Sequence, residues 1–130
     1  MTALLLRDGA EYWGELRAAL EDQFLRVCEV RWFSEAAKCL KGPEPPQLVF
    51  TAVLLADGDW ERVLLLGKRK SVPVIVVSTC LDVRFCLDVL EKGAFDFIVP
   101  PFEQDDVAYV VRNVGWRAAP GTPWLAPRAA

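Results

Sequence analysis

The sequence predicts an α/β fold in which helices cover both faces of one parallel sheet, and three observations support this. Strand-sized apolar runs alternate with amphipathic helical patterns five times along the chain, an order that implies parallel pairing through right-handed crossovers. The run Val72–Ser78 is rich in Val and Ile without polar alternation, as expected of a strand buried on both faces. The chain has 130 residues, 53% of them hydrophobic, which suits one domain with a sizeable core.

The first half of the chain supplies three predicted strands and two predicted helices. Apolar residues at helical spacing mark the helices, and their boundaries carry the usual signals. Ser34 is placed to cap the second helix, and Gly42 is placed to end it. In chain order the elements are strand Ala3–Leu6, helix Glu11–Leu20, strand Leu25–Val30, helix Glu35–Leu40 and strand Leu48–Ala52.

The second half supplies three helices and two more strands. Asp59 is the expected N-cap of the third helix and Gly67 its expected end, while Gly93 should end the fourth. The fourth helix is predicted to bury Val83, Cys86, Leu87 and Leu90 on one side. In chain order the elements are helix Trp60–Leu66, strand Val72–Ser78, helix Leu81–Lys92, strand Phe95–Val99 and a helix over Val107–Val114.

The last helix competes with a strand, because its Val-rich sequence favours extended structure. Its valines nevertheless fall at i, i+3, i+4 and i+7, which favours a helix that stops at Gly115. Residues 1–115 are therefore predicted to form the domain, and residues 116–130, rich in Ala, Pro and Gly, to form a tail or linker.

Composition excludes several classes of function. The chain contains no histidine, so it cannot build a Ser-His-Asp or Cys-His arrangement of its own. No pair of its four cysteines has Cys-x-x-Cys spacing, which argues against a zinc site. No phosphate loop or cofactor fingerprint is present. We therefore expect no enzyme activity, no catalytic residue, no cofactor and no metal.

Charge and hydropathy patterns indicate a cytoplasmic protein. The net charge is −3, and the only basic run, Lys68–Arg69–Lys70, is too short for direct nucleic-acid binding. No apolar run approaches the ~20 residues that a membrane helix needs, and a charged pair directly follows Met1–Leu6, which argues against a signal peptide. Unpaired cysteines beside apolar segments fit a reducing compartment.

The segment Pro73–Phe102 joins a strand ending in Ser78–Thr79, a helix, Gly93–Ala94, a short strand and finally Pro100–Pro101–Phe102. It resembles the second half of a response-regulator receiver domain, whose matching segment ends in Lys-Pro-Phe. The whole of Ala3–Gly115 is similar to this family. The resemblance implies a flavodoxin-like, CheY-like sheet with strand order 2-1-3-4-5 and a cis bond between Pro100 and Pro101.

The resemblance also implies which residues stand at the phosphorylation pocket. The acidic pair that binds Mg²⁺ in the family is replaced by Arg7–Asp8, the phospho-accepting aspartate by Ala52 and the lysine by Pro100. Ser78 matches the hydroxyl residue and, with Phe97 at the aromatic position, would be switch-like. A lone carboxylate beside a guanidinium is a poor magnesium site. If Arg7 points inward, we expect it to pair with Asp8.

These replacements predict a degenerate, phosphorylation-independent receiver-like domain of two-component signalling. It would act as a protein-interaction or dimerisation module, in one version as the N-terminal regulatory domain of a transcriptional regulator. The expected surface is the face of the fourth helix, fifth strand and fifth helix, with acidic residues Asp82, Asp88, Glu91, Asp96, Asp105 and Asp106. The alternative is a ligand sensor that binds a nucleotide or another anion in the altered pocket, near Arg7.

Overall fold

The fold is an open five-stranded sheet with helices on both faces. It is known from a computed structural model that describes residues 1–79 and 82–117, the last two by their backbone alone. Its strands are β1 (Thr2–Leu6), β2 (Arg26–Val30), β3 (Leu48–Ala52), β6 (Val74–Val77) and β7 (Asp96–Ile98), while β4 (Leu54–Leu55) and β5 (Gly58–Asp59) form a separate hairpin. The five strands pair in parallel in the order β2-β1-β3-β6-β7, which confirms the predicted fold class and strand order.

Five helices form the two outer layers: α1 (Tyr12–Asp22), α2 (Phe33–Lys41), α3 (Trp60–Lys70), α4 (Val83–Glu91) and α5 (Gln104–Arg117). Residues of β1 divide between two cores because successive strand residues point to opposite faces. Leu5 packs in one core with α1 and α5, whereas Leu4 and Leu6 pack in the other with α2, α3 and α4. Four of the five strands are therefore buried on both faces, as predicted for Val72–Ser78, whereas the edge strand β2 is partly exposed.

A small hairpin between β3 and α3 was not predicted from the sequence. It consists of β4 (Leu54–Leu55) and β5 (Gly58–Asp59), which pair antiparallel. Between them, Asp57 accepts hydrogen bonds from the backbone N–H groups of Phe33, at 2.6 Å, and Ser34, at 3.0 Å. Desolvation raises the pKa of Asp57, but these backbone N–H donors outweigh it and hold the pKa below its usual value.

The start of α2 is thus capped from a distant loop. Ser34 lies inside the first turn of a helix that begins at Phe33, so the predicted cap at Ser34 is wrong. Arg62 strengthens the contact, because its guanidinium stacks 4.5 Å from the centre of the Phe33 ring and its Nη1 donates to the Asp57 carbonyl at 3.1 Å. The hairpin, helix α2 and helix α3 are therefore connected through the contacts of Asp57, Phe33 and Arg62.

Two of the four glycines expected to stop helices do not. Helix α3 runs through Gly67 to Lys70 and ends at Ser71, whose φ of 56° is left-handed. Helix α5 runs through Gly115 to Arg117. Glycine at 67 serves close packing instead, since a Cβ there would lie 2.8 Å from the Val72 carbonyl oxygen. The other boundary signals are confirmed: the Asp59 carboxylate caps α3, α2 ends at Gly42, and Gly93 follows α4 with φ of +106°.

Helix α4 is oriented differently from the prediction. Val83 is 67% exposed and Leu87 is 49% exposed, whereas Val89 is fully buried. The buried stripe is therefore rotated toward Val89 and away from the Val83–Leu87 side. The two apolar side chains, one helical turn apart, face solvent together.

The predicted tail at residues 116–130 lies almost wholly outside the described residues, so its boundary stays a prediction. Within the described ranges, 1–79 and 82–117, no helix has the length and apolar character needed to cross a bilayer.

Candidate functional site at the carboxyl edge of the sheet

Strand register brings the residues of the predicted pocket to one edge of the sheet. Leu6 pairs with Thr51, so Arg7 follows beside Ala52. Ala52 pairs with Val77, directly before Ser78. The backbone N–H of Ser78 donates to the Ile98 carbonyl at 3.2 Å, which places Pro100 just beyond the end of the neighbouring strand. Ligand sites of doubly wound sheets lie at this carboxyl edge.

Arg7 does not pair with the Asp8 carboxylate, so the expected ion pair is wrong. Its Nη1 lies 3.1 Å from Glu29 Oε1, while Nε and Nη2 donate to the backbone carbonyls of Asp8 and Ala10, both at 3.1 Å. Glu29 projects from the adjacent strand β2, and its Oε2 lies 2.8 Å from Arg17 Nη1. Each guanidinium nitrogen of Arg7 already has a protein acceptor, and Glu29 bridges two arginines.

Asp8 is held by neighbours on its own loop and on α1. Its Oδ1 accepts from the backbone N–H of Ala10 at 3.0 Å and from the indole Nε1 of Trp13 at 2.9 Å. Trp13 is fully buried, and its indole needs a hydrogen-bond acceptor there. The pKa of neighbouring Tyr12 is raised by burial and then by the Asp8 charge. The sequence analysis identified neither Trp13 nor Glu29 as a partner at this edge, and the Glu29 contact with Arg7 forms only when β2 pairs with β1.

The position at which the resemblance places the phospho-acceptor holds a buried methyl group. Ala52 is fully buried at the end of β3. The preceding residue, Thr51, is also fully buried, and its hydroxyl donates to the Ala52 carbonyl at 2.9 Å. Neither side chain provides a carboxylate, and the hydroxyl is engaged by the backbone. This part of the edge is therefore a packed strand end.

The side chains at this edge do not fit the magnesium ion that the family resemblance implies. Magnesium prefers several carboxylate and water oxygens in near-octahedral geometry. Here Arg7 contributes a cation, Ala52 contributes no oxygen donor, and Asp8 Oδ1 already accepts two hydrogen bonds. In the part of the chain that the structure describes, no cluster of three or more His, Cys, Asp or Glu could hold a metal ion.

The two residues that the resemblance marks as switch-like are packed inward. Ser78 is 9% exposed and Phe97 is 9% exposed. The Phe97 ring meets Phe85 of α4 edge-on at 5.8 Å between centroids, and Phe85 meets Trp60 of α3 edge-on at 5.6 Å. The aromatic side chain at this position is therefore part of a stack that links β7, α4 and α3. The peptide bond between Pro100 and Pro101 is cis, as the resemblance implied.

The acidic surface is smaller than predicted. Asp96 is 4% exposed, and its Oδ1 accepts from the backbone N–H of Phe97 at 2.7 Å, so placing Asp96 on the surface is wrong. It lies inside because it starts β7, where both neighbours are buried. Asp82 caps α4 through Arg84 N–H at 2.9 Å, and Asp88 lies 3.4 Å from Lys92. Glu91, Asp105 and Asp106 are exposed.

A cleft lies at the opposite end of the sheet. The cleft, of about 670 Å³, is formed at the amino ends of β1, β3 and β6 by residues that include Thr2, Gln47 and Pro73. It is lined mainly by prolines and aliphatic side chains, with no cluster of ionisable groups. The carboxyl edge therefore remains the candidate site.

No protein-family model matches the chain. Two curated relatives are the sensory transduction protein LytT of Bacillus cereus and the swarming motility regulation protein RssB of Serratia marcescens. LytT is 30% identical over 69 residues, 52% of this chain and 28% of the relative. RssB is 26% identical over 121 residues, 92% of this chain and 55% of the relative. The chain thus spans roughly a quarter to a half of the length of these proteins.

Solved structures give the same picture at the level of fold. A signal receiver domain of a histidine kinase from Syntrophus aciditrophicus superposes with a TM-score of 0.75 at 26% identity, covering 96% of this chain and 98% of that one. A putative response regulator from Chloroflexus aurantiacus gives 0.77 at 22% identity, with 87% and 95% covered. The beryllofluoride-activated NtrC4 receiver domain dimer gives 0.74 at 22%, with 87% and 94% covered. The chain therefore has the flavodoxin-like receiver fold, and it is similar in sequence to curated signal-transduction and motility regulators over part of their length.

Proposed function

We propose that this chain is a degenerate receiver domain that signals through protein contacts, without phosphorylation. The observation that carries the proposal is Ala52, a fully buried methyl group where the family resemblance places the phospho-accepting carboxylate. The contacts of Arg7 add support, since they fill the neighbouring position with an ion pair to Glu29 at 3.1 Å. Acceptor, metal ligand and lysine are replaced while the strands that position them are kept.

Treatment with acetyl phosphate and Mg²⁺ tests whether the chain can be phosphorylated. Because the acceptor position lacks a carboxylate and the edge lacks a magnesium site, we expect no incorporation of phosphate. Intact-mass spectrometry before and after mild acid treatment provides the measurement. A receiver domain that carries the aspartate, treated in parallel, verifies the reagent. A stoichiometric, acid-labile acyl phosphate on this chain would contradict the proposal.

We place the proposed protein–protein contact on the face formed by α4, β7 and α5. Val83 and Leu87 present a two-residue apolar strip on α4, 67% and 49% exposed, and Tyr109 on α5 is 37% exposed. Exposed Asp82, Glu91, Asp105 and Asp106 provide polar groups on the same two helices. An apolar centre with a polar rim is the usual anatomy of a protein interface. We propose a second copy of this chain as one occupant.

Substitution of Leu87 by aspartate is expected to weaken self-association by about tenfold or more, since burying a leucine contributes roughly 1.5 kcal/mol or more. The matched control is Leu65→Asp, because Leu65 is a 58% exposed leucine on the neighbouring helix α3. Sedimentation velocity over a concentration series measures both variants. Equal behaviour of the two variants, or a wild-type chain that remains monomeric throughout, would contradict a homodimer through this face.

The alternative of an anion sensor loses its main supporting residue. It relied on Arg7 as the cation of the altered pocket, but each nitrogen of that guanidinium donates to a protein oxygen. An incoming anion would have to break the contact with Glu29, which is also held by Arg17. The contacts therefore favour the interaction module over the sensor.

A further inference from the structure

Two cysteines of this chain lie on the same side of the sheet, away from the carboxyl-edge residues. Cys28 belongs to the edge strand β2 and pairs in register with Leu4 of β1. Residues directly opposite each other in a sheet point to the same face. Leu4 faces the core that contains Ala36 and Leu40 of α2, and Cys39 packs partly buried against that same core. Both cysteines therefore lie on the side of the sheet that α2 covers.

The Cys28 thiol also acts on Cys39. The pKa of the Cys39 thiol is raised by burial first, then by Cys28, and less by Glu35, which stands one helical turn before it. Interaction between charged groups falls with distance. The contribution of Cys28 therefore accords with its place on the same side of the sheet as Cys39. Cys28 is exposed at the sheet edge, whereas Cys39 is partly covered.

We propose that Cys28 and Cys39 form a peroxide-responsive dithiol site that closes to an intramolecular disulfide. Cys28, the accessible thiol, attacks hydrogen peroxide as its thiolate, becomes a sulfenic acid and releases one water. The sulfur of Cys39 then attacks the sulfur of Cys28 and releases the second water. Two thiols are oxidised to one disulfide while one peroxide is reduced to two waters. The product would tie the edge strand β2 to α2.

Cys86 is a suitable internal control. It lies on α4, is partly buried like Cys39, and has a thiol whose pKa is raised by burial and then by Asp96 of β7. Strands β2 and β7 are the two opposite edges of the sheet. With strands about 4.8 Å apart, the four steps between those edges put roughly 19 Å between them. Cys86 therefore cannot reach Cys28 within one molecule.

Trypsin separates the relevant cysteines into different peptides, which makes the test direct. Cleavage after Arg26, Arg31, Lys38 and Lys41 releases Val27–Arg31 with Cys28 and Cys39–Lys41 with Cys39. The full chain is treated with a small excess of hydrogen peroxide at micromolar concentration, free thiols are alkylated, and the digest is analysed without reduction. We expect these two peptides joined, at a mass about 2 Da below their sum because two hydrogens are lost.

Cysteine-to-serine variants identify which two thiols form the crosslink. Cys86→Ser should leave the crosslink between the two peptides unchanged, whereas Cys28→Ser and Cys39→Ser should each abolish it. The wild-type digest decides the matter even if a variant does not fold. Crosslinks made mainly to Cys86 or between molecules would overturn the proposal. So would oxidation that stops at sulfinic acid, or Cys28 and Cys39 fully alkylated after peroxide treatment.

Discussion

Replacement of Trp13 by alanine is expected to lower the free energy of unfolding by about 3–5 kcal/mol, the usual range for truncating a buried aromatic side chain. Trp13 is fully buried in the core between α1, α5 and the sheet. Its loss would leave a cavity and would also remove the indole that donates to Asp8 at 2.9 Å. Urea unfolding followed by circular dichroism measures the change.

Trp32 provides the matched control for Trp13. It is 49% exposed and precedes α2 without making a capping hydrogen bond through its side chain. Its replacement by alanine should change the free energy of unfolding by less than about 1 kcal/mol, since surface substitutions have small effects. A similar loss for the two variants would show that α1 is not packed as described.

Two glycine-to-alanine substitutions within helices are expected to change stability in opposite directions. At Gly67 of α3, the new Cβ would lie 2.6 Å from Val74 Cγ2 and 2.8 Å from the Val72 carbonyl oxygen. Because the carbonyl belongs to the backbone, α3 or the loop after it must shift, and such overpacking costs roughly 1–3 kcal/mol. This outweighs the gain in helix propensity, about 1 kcal/mol at most.

At Gly14 of α1, by contrast, a Cβ would meet nothing within 4 Å. Gly14→Ala should therefore raise the free energy of unfolding by about 0.5–1 kcal/mol, because alanine loses less backbone freedom on folding. The same denaturant titration compares both variants with the wild type. Stabilisation by Gly67→Ala would contradict the close packing of α3 on the segment Val72–Val74.

The main strands were predictable because their signal is local. β3 was predicted residue for residue over Leu48–Ala52, and the other strands within two residues of each predicted end. A short Val- and Ile-rich run without polar alternation favours a strand buried on both faces of a parallel sheet. The caps at Asp59 and Gly93 were predictable for the same reason, since capping depends on residues only a few positions apart.

Features that depend on distant partners were not predictable in this way. Gly67 and Gly115 carry the local signal of a helix stop, yet their helices continue because tertiary packing decides the boundary. No local signal marks Asp57 as the cap of a helix more than twenty residues before it, and only the folded chain shows that it caps α2. The exposed side of α4 also escaped prediction, since Val83 and Leu87 share the apolar character of the buried Val89.

The positions of the candidate site were predictable, whereas the contacts that its side chains make were not. The resemblance identified its positions, and the register brings Arg7, Ala52 and Ser78 to one edge as expected. The contacts of Arg7 could not be inferred, because Glu29 is an acceptor only once β2 pairs with β1. The burial of Asp96 likewise depends on its place at the start of β7.

The capping of α2 by Asp57 has a mechanical consequence for the loop that follows β3. One carboxylate holds the first two backbone N–H groups of α2, and Arg62 is bound to both the Phe33 ring and the Asp57 carbonyl. The loop cannot be displaced alone, since any movement would pull the start of α2 with it or break two short hydrogen bonds. The loop, α2 and the first turn of α3 should therefore move as a single rigid body. A partner that displaces one of them would displace all three.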